Sequence, residues 1–214
     1  MNFGGPTSED EAIRIIRRFL DAGGNFIDTA NVYNQGRSEE IVGKAIKGKR
    51  DSVVLATKVH FPMGDGPNDY GNSRKHIMHQ IEQSLRRLGT DYIDIYYIHR
   101  PDPTTPLEET LDTLNDLVHK GYVRYIGTST FPAWQLVEAQ WICDKRNYVR
   151  FVVERPLYSI IERQIEARII PYAGKYGVGL VTWSPLAEGW LTGKYLKGVS
   201  PDSRSAKHPE WKDM

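Results

Sequence analysis

Short apolar runs and longer amphipathic stretches alternate six times along this chain of 214 residues, and the alternation decides the class of fold. The runs are rich in β-branched and aromatic residues and are predicted strands: NFID (25–28), SVVLATK (52–58), IDIYYI (93–98), VRYIGT (123–128), RFVVE (150–154) and VGLVTW (178–183). The other stretches carry helix signals and are predicted helices, at 8–23, 38–48, 73–89, 105–121, 131–147 and 165–177. Since strands that alternate with helices pair in parallel through crossover connections, the sequence predicts an α/β fold built on a parallel sheet.

Cap residues mark the ends of several predicted helices. Ser8 with Glu11 three residues later is a capping box, and the same pattern predicts that Ser38 caps the second helix. Gly89 is the kind of residue that ends a helix in the left-handed conformation. Pro171 falls inside the last helical pattern, and we expect it to kink or divide that helix.

Two parallel architectures compete for this pattern, the open doubly wound sheet and the closed (β/α)8 TIM barrel. An open sheet usually places a glycine-rich turn after its first strand, but here that strand continues as NFIDTANVYNQG, without G-x-G-x-x-G. The barrel is therefore favoured. A complete barrel typically needs about 250 residues. We therefore expect residues 1–214 to form a single, incomplete TIM-barrel domain with about six of the eight βα units.

Composition narrows the partners and the compartment. The formal net charge is +1, which gives no reason to expect nucleic acid as a partner. No apolar run approaches the roughly 20 residues of a membrane helix, and the N-terminus, MNFGGPTSEDEA, lacks the segments of a signal peptide. Cys143 is the single cysteine, so no intrachain disulfide can form. We therefore expect a cytoplasmic protein with no membrane insertion.

Four polar residues fall at or just after the ends of predicted strands, where a barrel places its chemistry. Asp28 ends the first strand and Tyr33 follows it, Lys58 ends the second, and His99 follows the third. Each has a structural alternative: Asp28 as a turn cap, Tyr33 as a packing residue, Lys58 as a surface lysine and His99 as a core histidine. Together they place an acid, a phenol, an amine and an imidazole on one rim.

These four groups suit the protonation of an oxygen. A phenol has a pKa near 10, and we expect the Lys58 ammonium to lower the pKa of Tyr33, with Asp28 keeping Lys58 charged. His99 can then hold a carbonyl oxygen within reach of the phenol. The chain has no G-x-S-x-G elbow, and Cys143 lies within a helical pattern, so no protein nucleophile presents itself. A hydride from a bound cofactor fits instead.

No metal site is expected. His76 and His79 have helical spacing, but no third ligand accompanies them in the sequence.

Five motifs carry a family resemblance: FIDTANVYNQGRSEEIVGKAI, VLATKV, LGTDYIDIYYIHRPD, GYVRYIGTST and VTWSPLAEGWLTGKY. In this order the sequence resembles the aldo-keto reductase superfamily, across nearly the whole chain. The GKY…SR spacing is most similar to the branch that includes potassium-channel β subunits and bacterial relatives. The resemblance implies an eightfold barrel that binds NADPH, less often NADH, and Asp28, Tyr33, Lys58 and His99 match the catalytic tetrad of the family.

The resemblance also implies a set of cofactor contacts. Ser129 resembles the residue that bonds the nicotinamide carboxamide, and Trp183 resembles the aromatic residue that stacks on the nicotinamide ring. The remaining implied contacts are to phosphates and the adenosine end, and they come from Ser184, Pro185, Leu186, Lys194 and Arg204.

The sequence departs from the family pattern in the site and at its ends. Thr130 and Arg155 also fall at expected cofactor contacts, but many members have Asn where Thr130 stands and Gln where Arg155 stands. The family normally has a strand before Met1 and a further strand and helix after the region of Trp211. We therefore expect a barrel that is open at one seam, with two exposed parallel edges.

The resemblance implies an NADPH-dependent reductase of small aldehydes or ketones. Two alternatives stay open: a cofactor-binding regulatory or channel-associated subunit with little turnover, and an inactive fragment. The loop HFPMGDGPNDYGN (60–72) is the expected wall of the substrate pocket, with Phe61, Met63 and Tyr70 as apolar contacts. The expected partner is a small carbonyl substrate, and the sequence leaves a homo-oligomer open.

Overall fold

The computed structural model describes residues 1–196, 198 and 206, and it holds the six expected strands. The strands are β1 (Phe26–Asp28), β2 (Val54–Val59), β3 (Ile93–Ile98), β4 (Val123–Ser129), β5 (Phe151–Arg155) and β6 (Gly179–Leu180). The α-helices are α1 (Glu9–Asp21), α2 (Arg37–Ile46), α3 (Arg74–Leu88), α4 (Leu107–His119), α5 (Ala133–Arg146) and α6 (Ile169–Tyr176). Short 3-10 segments lie at Arg50–Ser52, Gln164–Ala167 and Ala187–Thr192.

The six strands form one parallel sheet in chain order, curled into a half-barrel. Each strand pairs with the next along the chain, for example Lys58 opposite Tyr97 across β2 and β3. Within the described residues, β1 and β6 are the two edges of this sheet. The expected α/β fold and partial TIM barrel are therefore confirmed.

The sheet is buried on both faces, as parallel strands covered by helices tend to be. On β2, Leu55 and Val59 join the large core between sheet and helices. Ala56, one position out of phase, packs inside the curve against Tyr97 of β3. Because side chains alternate along a strand, Lys58 shares the inner side with Ala56. The inner side is therefore small, aromatic and polar.

Two sequence expectations about elements are corrected, the cap of α2 and the length of the last strand. Ser38 does not cap α2: Gly36, with φ of 89°, takes that position, and the Ser38 hydroxyl lies 2.9 Å from the Thr29 hydroxyl instead. The last predicted helix is divided, as expected, at Arg168, between the 3-10 turn and α6. Pro171 lies in the first turn of α6, where its missing N–H has no intrahelical partner to lose.

The last strand is shorter than predicted. β6 covers only Gly179–Leu180, although 178–183 was expected to be extended. Beyond it the pairing with the β5 side continues irregularly, through bonds from Val181 N–H to Glu154 O and from Trp183 N–H to Pro156 O. Pro156 cannot donate a ladder hydrogen bond, so the regular sheet stops beside it.

Candidate active site

The carboxyl ends of the strands deliver the candidate residues to one cleft. Asp28 ends β1, Arg155 ends β5, and His99 directly follows β3, where its N–H donates to Val59 O at 2.9 Å. Asp28, His99 and Arg155 line a cleft of about 1200 Å³ together with Tyr33. Since the carboxyl ends of parallel strands meet at one edge, the sequence positions of these residues account for their convergence.

Asp28 binds two cations, one on each carboxylate oxygen. Lys58 Nζ lies 2.7 Å from Asp28 Oδ1, and Arg155 Nε lies 2.9 Å from Oδ2. The Lys58 side chain is fully buried and also donates to Thr29 O. Burial lowers the pKa of Lys58 to about 8, although Asp28 acts in the opposite direction. Lys58 is therefore charged at neutral pH but loses its proton far more readily than an exposed lysine.

Tyr33 stands above this ion pair. Its ring centroid is 5.2 Å from Lys58 Nζ and 5.8 Å from the centroid of the His99 ring, which it meets edge-on. Burial raises the pKa of Tyr33, while the nearby Arg155 and Arg100 act to lower it. The expectation that the pKa of Tyr33 falls below 10 is not met in this structure, because burial of the phenol raises its pKa. The phenol therefore stays protonated at neutral pH and can donate a proton.

His99 is neutral at physiological pH. Burial lowers its pKa to about 2, and the neighbouring Lys58, Arg100 and Arg155 add to the effect. Its Nδ1 is buried without a hydrogen-bond partner. A neutral imidazole at the cleft can take part in a hydrogen bond to a ligand oxygen but cannot supply a proton.

The loop after β4 is held by a buried carboxylate. Glu154 accepts hydrogen bonds from the Thr128 hydroxyl and the Phe131 N–H. Thr130 within the loop has a φ of 59°, which is uncommon for a β-branched residue. Ser129 is buried, and its hydroxyl donates to Arg155 O at 3.1 Å. Ser129 and Thr130 therefore stand beside the cleft rather than in its lining.

Arg100 bridges that loop to the cleft. Its Nη1 donates to the Thr130 hydroxyl at 3.0 Å and to His99 O at 2.9 Å, and lies 3.4 Å from the Ser129 hydroxyl. Its guanidinium carbon lies 5.9 Å from the Phe61 ring centroid and 5.7 Å from that of Trp183.

Most of the expected cofactor contacts meet at the same cleft. The cleft lining includes Trp183, Ser184, Pro185, Leu186 and Lys194. Arg204 lies outside the described residues.

Of the three expected substrate contacts, one lines the cleft and two do not. Phe61 lines the cleft, and its ring meets that of His99 at 4.8 Å. Met63 and Tyr70 are not among the described residues that line the cleft, and Tyr70 is 51% exposed. The loop folds on itself, because Asp69 accepts hydrogen bonds from Gly66 N–H and, through its carbonyl, from Met63 N–H. The structure therefore brings Phe61 to the cleft but not Met63 or Tyr70.

Sequence reasoning missed two residues of the site. Arg100 directly follows His99 at the end of β3, and that position was the signal that could have found it. Glu154 sits inside a predicted strand, where an acidic residue is unexpected, and its burial supplies the anchor for residues 128–131.

Two further properties bear on the class of protein. In the part of the chain that the structure describes, no group of three or more His, Cys, Asp or Glu side chains could hold a metal ion. Searched over the same residues, no helix has both the length and the apolarity to cross a membrane.

Comparison with known proteins identifies the family. The model of the Aldo/keto reductase family matches residues 1–212. A "Probable voltage-gated potassium channel subunit beta" of Oryza sativa subsp. japonica is 46% identical over 96% of this chain, which spans 64% of that relative, less than two thirds of its length. An "Uncharacterized oxidoreductase YrpG" of Bacillus subtilis (strain 168) is 44% identical over 98% of this chain and 68% of its own length. A "Putative aryl-alcohol dehydrogenase" of Schizosaccharomyces pombe is 41% identical over 86% of this chain and 59% of its own length. By sequence, by its parallel half-barrel and by the residues at its strand ends, this chain belongs to the aldo/keto reductase family.

Proposed function

We propose that the protein reduces aldehydes or ketones to alcohols with NADPH, or less often NADH, and that Tyr33 is the general acid. The observation that carries this proposal is the placement of a protonated phenol beside a neutral imidazole, above the Lys58–Asp28 ion pair, in one cleft. Membership of an oxidoreductase family supports it.

The described residues suit a nicotinamide dinucleotide. The cleft, at about 1200 Å³, is larger than the roughly 300–1,000 Å³ of drug-sized ligand pockets. Trp183 would offer its ring to the nicotinamide, and Lys194 would offer a cation to the phosphates. The indole Nε1 of Trp183 is buried without a partner, so a polar group nearby would satisfy it. When bound, the dinucleotide supplies the hydride.

The chain's own residues then handle the carbonyl oxygen. His99, neutral, orients the carbonyl oxygen by a hydrogen bond. Tyr33 gives its proton to that oxygen as negative charge develops on it. Lys58 keeps positive charge close to the phenol, and Asp28 holds Lys58 in place. Phe61 and Trp183 exclude water from the reacting atoms.

Replacing Tyr33 with phenylalanine tests the assignment. Tyr33→Phe removes the proton donor and keeps the ring, and general acid catalysis typically contributes about 10²–10⁴-fold. We expect turnover on a panel of aldehydes, followed by the loss of NADPH absorbance, to fall by that factor. NADPH affinity should survive, and tryptophan fluorescence measures it, since Trp183 is the expected reporter. Activity within a few-fold of the original would reassign Tyr33 to packing, and full quenching in Trp183→Ala would refute the stacking role.

A second candidate function is a cofactor-binding subunit of a potassium channel, with little turnover. The names of the rice relative and of a similarly matched Arabidopsis thaliana relative favour it. Both functions use the same cleft, so binding of NADPH does not separate them. Steady-state turnover does: binding of NADPH without reduction of any aldehyde would favour the channel-associated subunit.

A further inference from the structure

Arg100 is a cleft cation without a carboxylate partner. Within the described residues, its hydrogen bonds all run from Nη1, to the carbonyl of His99 and the hydroxyls of Ser129 and Thr130. Nε and Nη2 make no hydrogen bond, and no Asp or Glu oxygen pairs with Arg100, within the described part of the chain. Arg155 in the same cleft differs, because Asp28 pairs with it.

The charged side chains around Arg100 give this part of the cleft an excess of positive charge. Three cations, Lys58, Arg100 and Arg155, act on His99, and among the described residues Asp28 is the carboxylate of the cleft that pairs with two of them, Lys58 and Arg155. Glu154 lies behind the loop, where burial raises its pKa to about 7, and its charge acts on Arg100 without an ion pair between the two. At the far end of the lining, Glu188 and Lys194 contribute opposite charges. A partly buried guanidinium that lacks a counter-ion costs free energy, which an arriving anion would recover.

The aromatic rings beside Arg100 indicate the chemical character of the rest of the ligand. The Phe61 and Trp183 rings lie 5.9 and 5.7 Å from its guanidinium carbon. The Phe61 ring is also 4.8 Å from the ring of His99, where the carbonyl is expected to sit. A flat apolar body against the Phe61 ring would therefore join a carbonyl at His99 to an anionic group at Arg100.

We propose that Arg100 binds a carboxylate on the substrate, so that the site selects carbonyl compounds that carry a carboxylate on an apolar or aromatic body. A planar guanidinium with two unused N–H directions matches the two oxygens of a carboxylate. This inference rests on the proposed function, because it concerns the substrate of the same reaction. Arg100 acts here as a specificity residue.

Matched substrates test the proposal. The 2-, 3- and 4-formylbenzoates are each compared with their methyl esters, which have the same ring and aldehyde without the charge. Hydrogen bonds to charged groups favour the carboxylate by about ten- to a hundredfold. We expect kcat/KM with NADPH to favour at least one acid over its ester by that factor, and the preferred isomer reports the distance from Arg100 to the carbonyl site. Equal kcat/KM for every acid and its ester would overturn the proposal.

Variants then locate the preference. Arg100→Gln should bring the acid-to-ester ratio close to one, and Arg100→Lys should keep part of it. The ratio is taken within one enzyme, so a general loss of turnover does not enter it. Arg17→Gln removes an exposed arginine of α1, outside the cleft lining, and should leave the ratio unchanged. A preference that persists in Arg100→Gln would overturn the role of Arg100.

A binding measurement separates this proposal from the proposed function. Isothermal titration compares benzoate with benzamide on the protein in the presence of NADPH. Tighter binding of benzoate, lost in Arg100→Gln, would support the anion site even if no aldehyde is reduced. Equal binding of the two, together with ordinary reduction of neutral aldehydes, would overturn the anion site and leave the reductase assignment standing.

Discussion

At the scale of single residues, the shared carboxylate of Asp28 controls the charge of the site. Its two oxygens hold Lys58 and Arg155, so each cation competes for the same negative charge. Arg155 accordingly lowers the pKa of Lys58, in the same direction as burial. The pKa of the Lys58 amine is thereby brought close to neutral pH.

The pH dependence of turnover should report Lys58. Since its pKa lies at about 8, the ammonium is present below that pH and lost above it. We expect kcat to fall as pH rises through about 8, because an unassisted phenol is a poorer acid once the nearby positive charge is lost. In Lys58→Met, which has no titrating amine, kcat should be low throughout and the step should be absent. A kcat that stays level to pH 9.5 in the unaltered protein would contradict this role.

Stability gives the control for that profile. The pKa of Lys58 is lowered from 10.5 to about 8 by folding, so between these values the unfolded chain binds the additional proton. This group therefore makes the fold more stable as pH rises through that window, and destabilises it most below about 8. Thermal melting followed by circular dichroism should therefore show no fall in the melting temperature attributable to Lys58 in the pH range where kcat falls.

The sequence predicts those site residues that lie at the ends of predicted strands. Asp28, Lys58 and His99 were placed on one rim because each ends or follows an apolar run, and the structure brings them together. The pairing of Asp28 with Arg155 was not predictable, because it joins β1 to β5, which are not neighbours in the sheet. In addition, Arg155 stands where the family resemblance gives Gln. Arg100 was passed over because its neighbour His99 explained the same motif.

At the scale of elements, α2 and α3 touch backbone to backbone at one glycine. A Cβ built on Gly43 would lie 2.4 Å from Leu88 O at the end of α3. The two helices cover adjacent strands of the sheet, so a residue with a side chain at position 43 would force them apart.

A matched pair of glycine substitutions tests this contact. Gly43→Ala should destabilise the fold by about 1–3 kcal/mol, because the Leu88 carbonyl is backbone and cannot move aside cheaply. Gly174→Ala, within α6 and with nothing within 4 Å of the new methyl group, should instead stabilise by about 0.5–1 kcal/mol. Urea denaturation of both variants measures the two changes. Equal effects on the free energy of unfolding would show that α2 and α3 can move apart at this contact without measurable cost.

The ends of helices and strands are predictable where their hydrogen-bond partners are close in sequence. Ser8 and Ser73 cap their helices through the N–H of Glu11 and His76, as the sequence signals indicate. Ser38 fails as a cap because a tertiary partner, Thr29, is in reach of its hydroxyl. β6 is short because Pro156 interrupts its neighbour. Contacts between distant segments thus decide what the local pattern leaves open.

At the scale of the whole molecule, the sheet presents two open parallel edges. Within the described residues, β1 pairs with β2 alone and β6 with β5 alone. Strand number, tilt and shear are linked in a barrel, so six strands cannot close the ring that eight close. The unpaired groups of such edges are sites for pairing with another chain.

The oligomeric state of the 214-residue chain tests the consequence of those edges. We expect residues 1–214, purified alone, to self-associate or to bind NADPH weakly, since each unpaired buried backbone group costs about 1–3 kcal/mol. Analytical ultracentrifugation gives the size of the species, and NADPH titration and aldehyde reduction on the same sample give its competence. A monodisperse monomer with ordinary reductase turnover would contradict this expectation.

The order of the strands also governs how the chain can assemble. Every pairing in the sheet joins consecutive strands, from Phe26 with Val54 at one end to Val153 with Gly179 at the other. During synthesis each strand from β2 onward therefore emerges after the partner that precedes it. The half-barrel can grow strand by strand by closing one helical connection at a time, and the entropic cost of each closure rises only slowly with the length of the connection. Its cleft, which draws on β1, β3 and β5, is then the last feature to be completed.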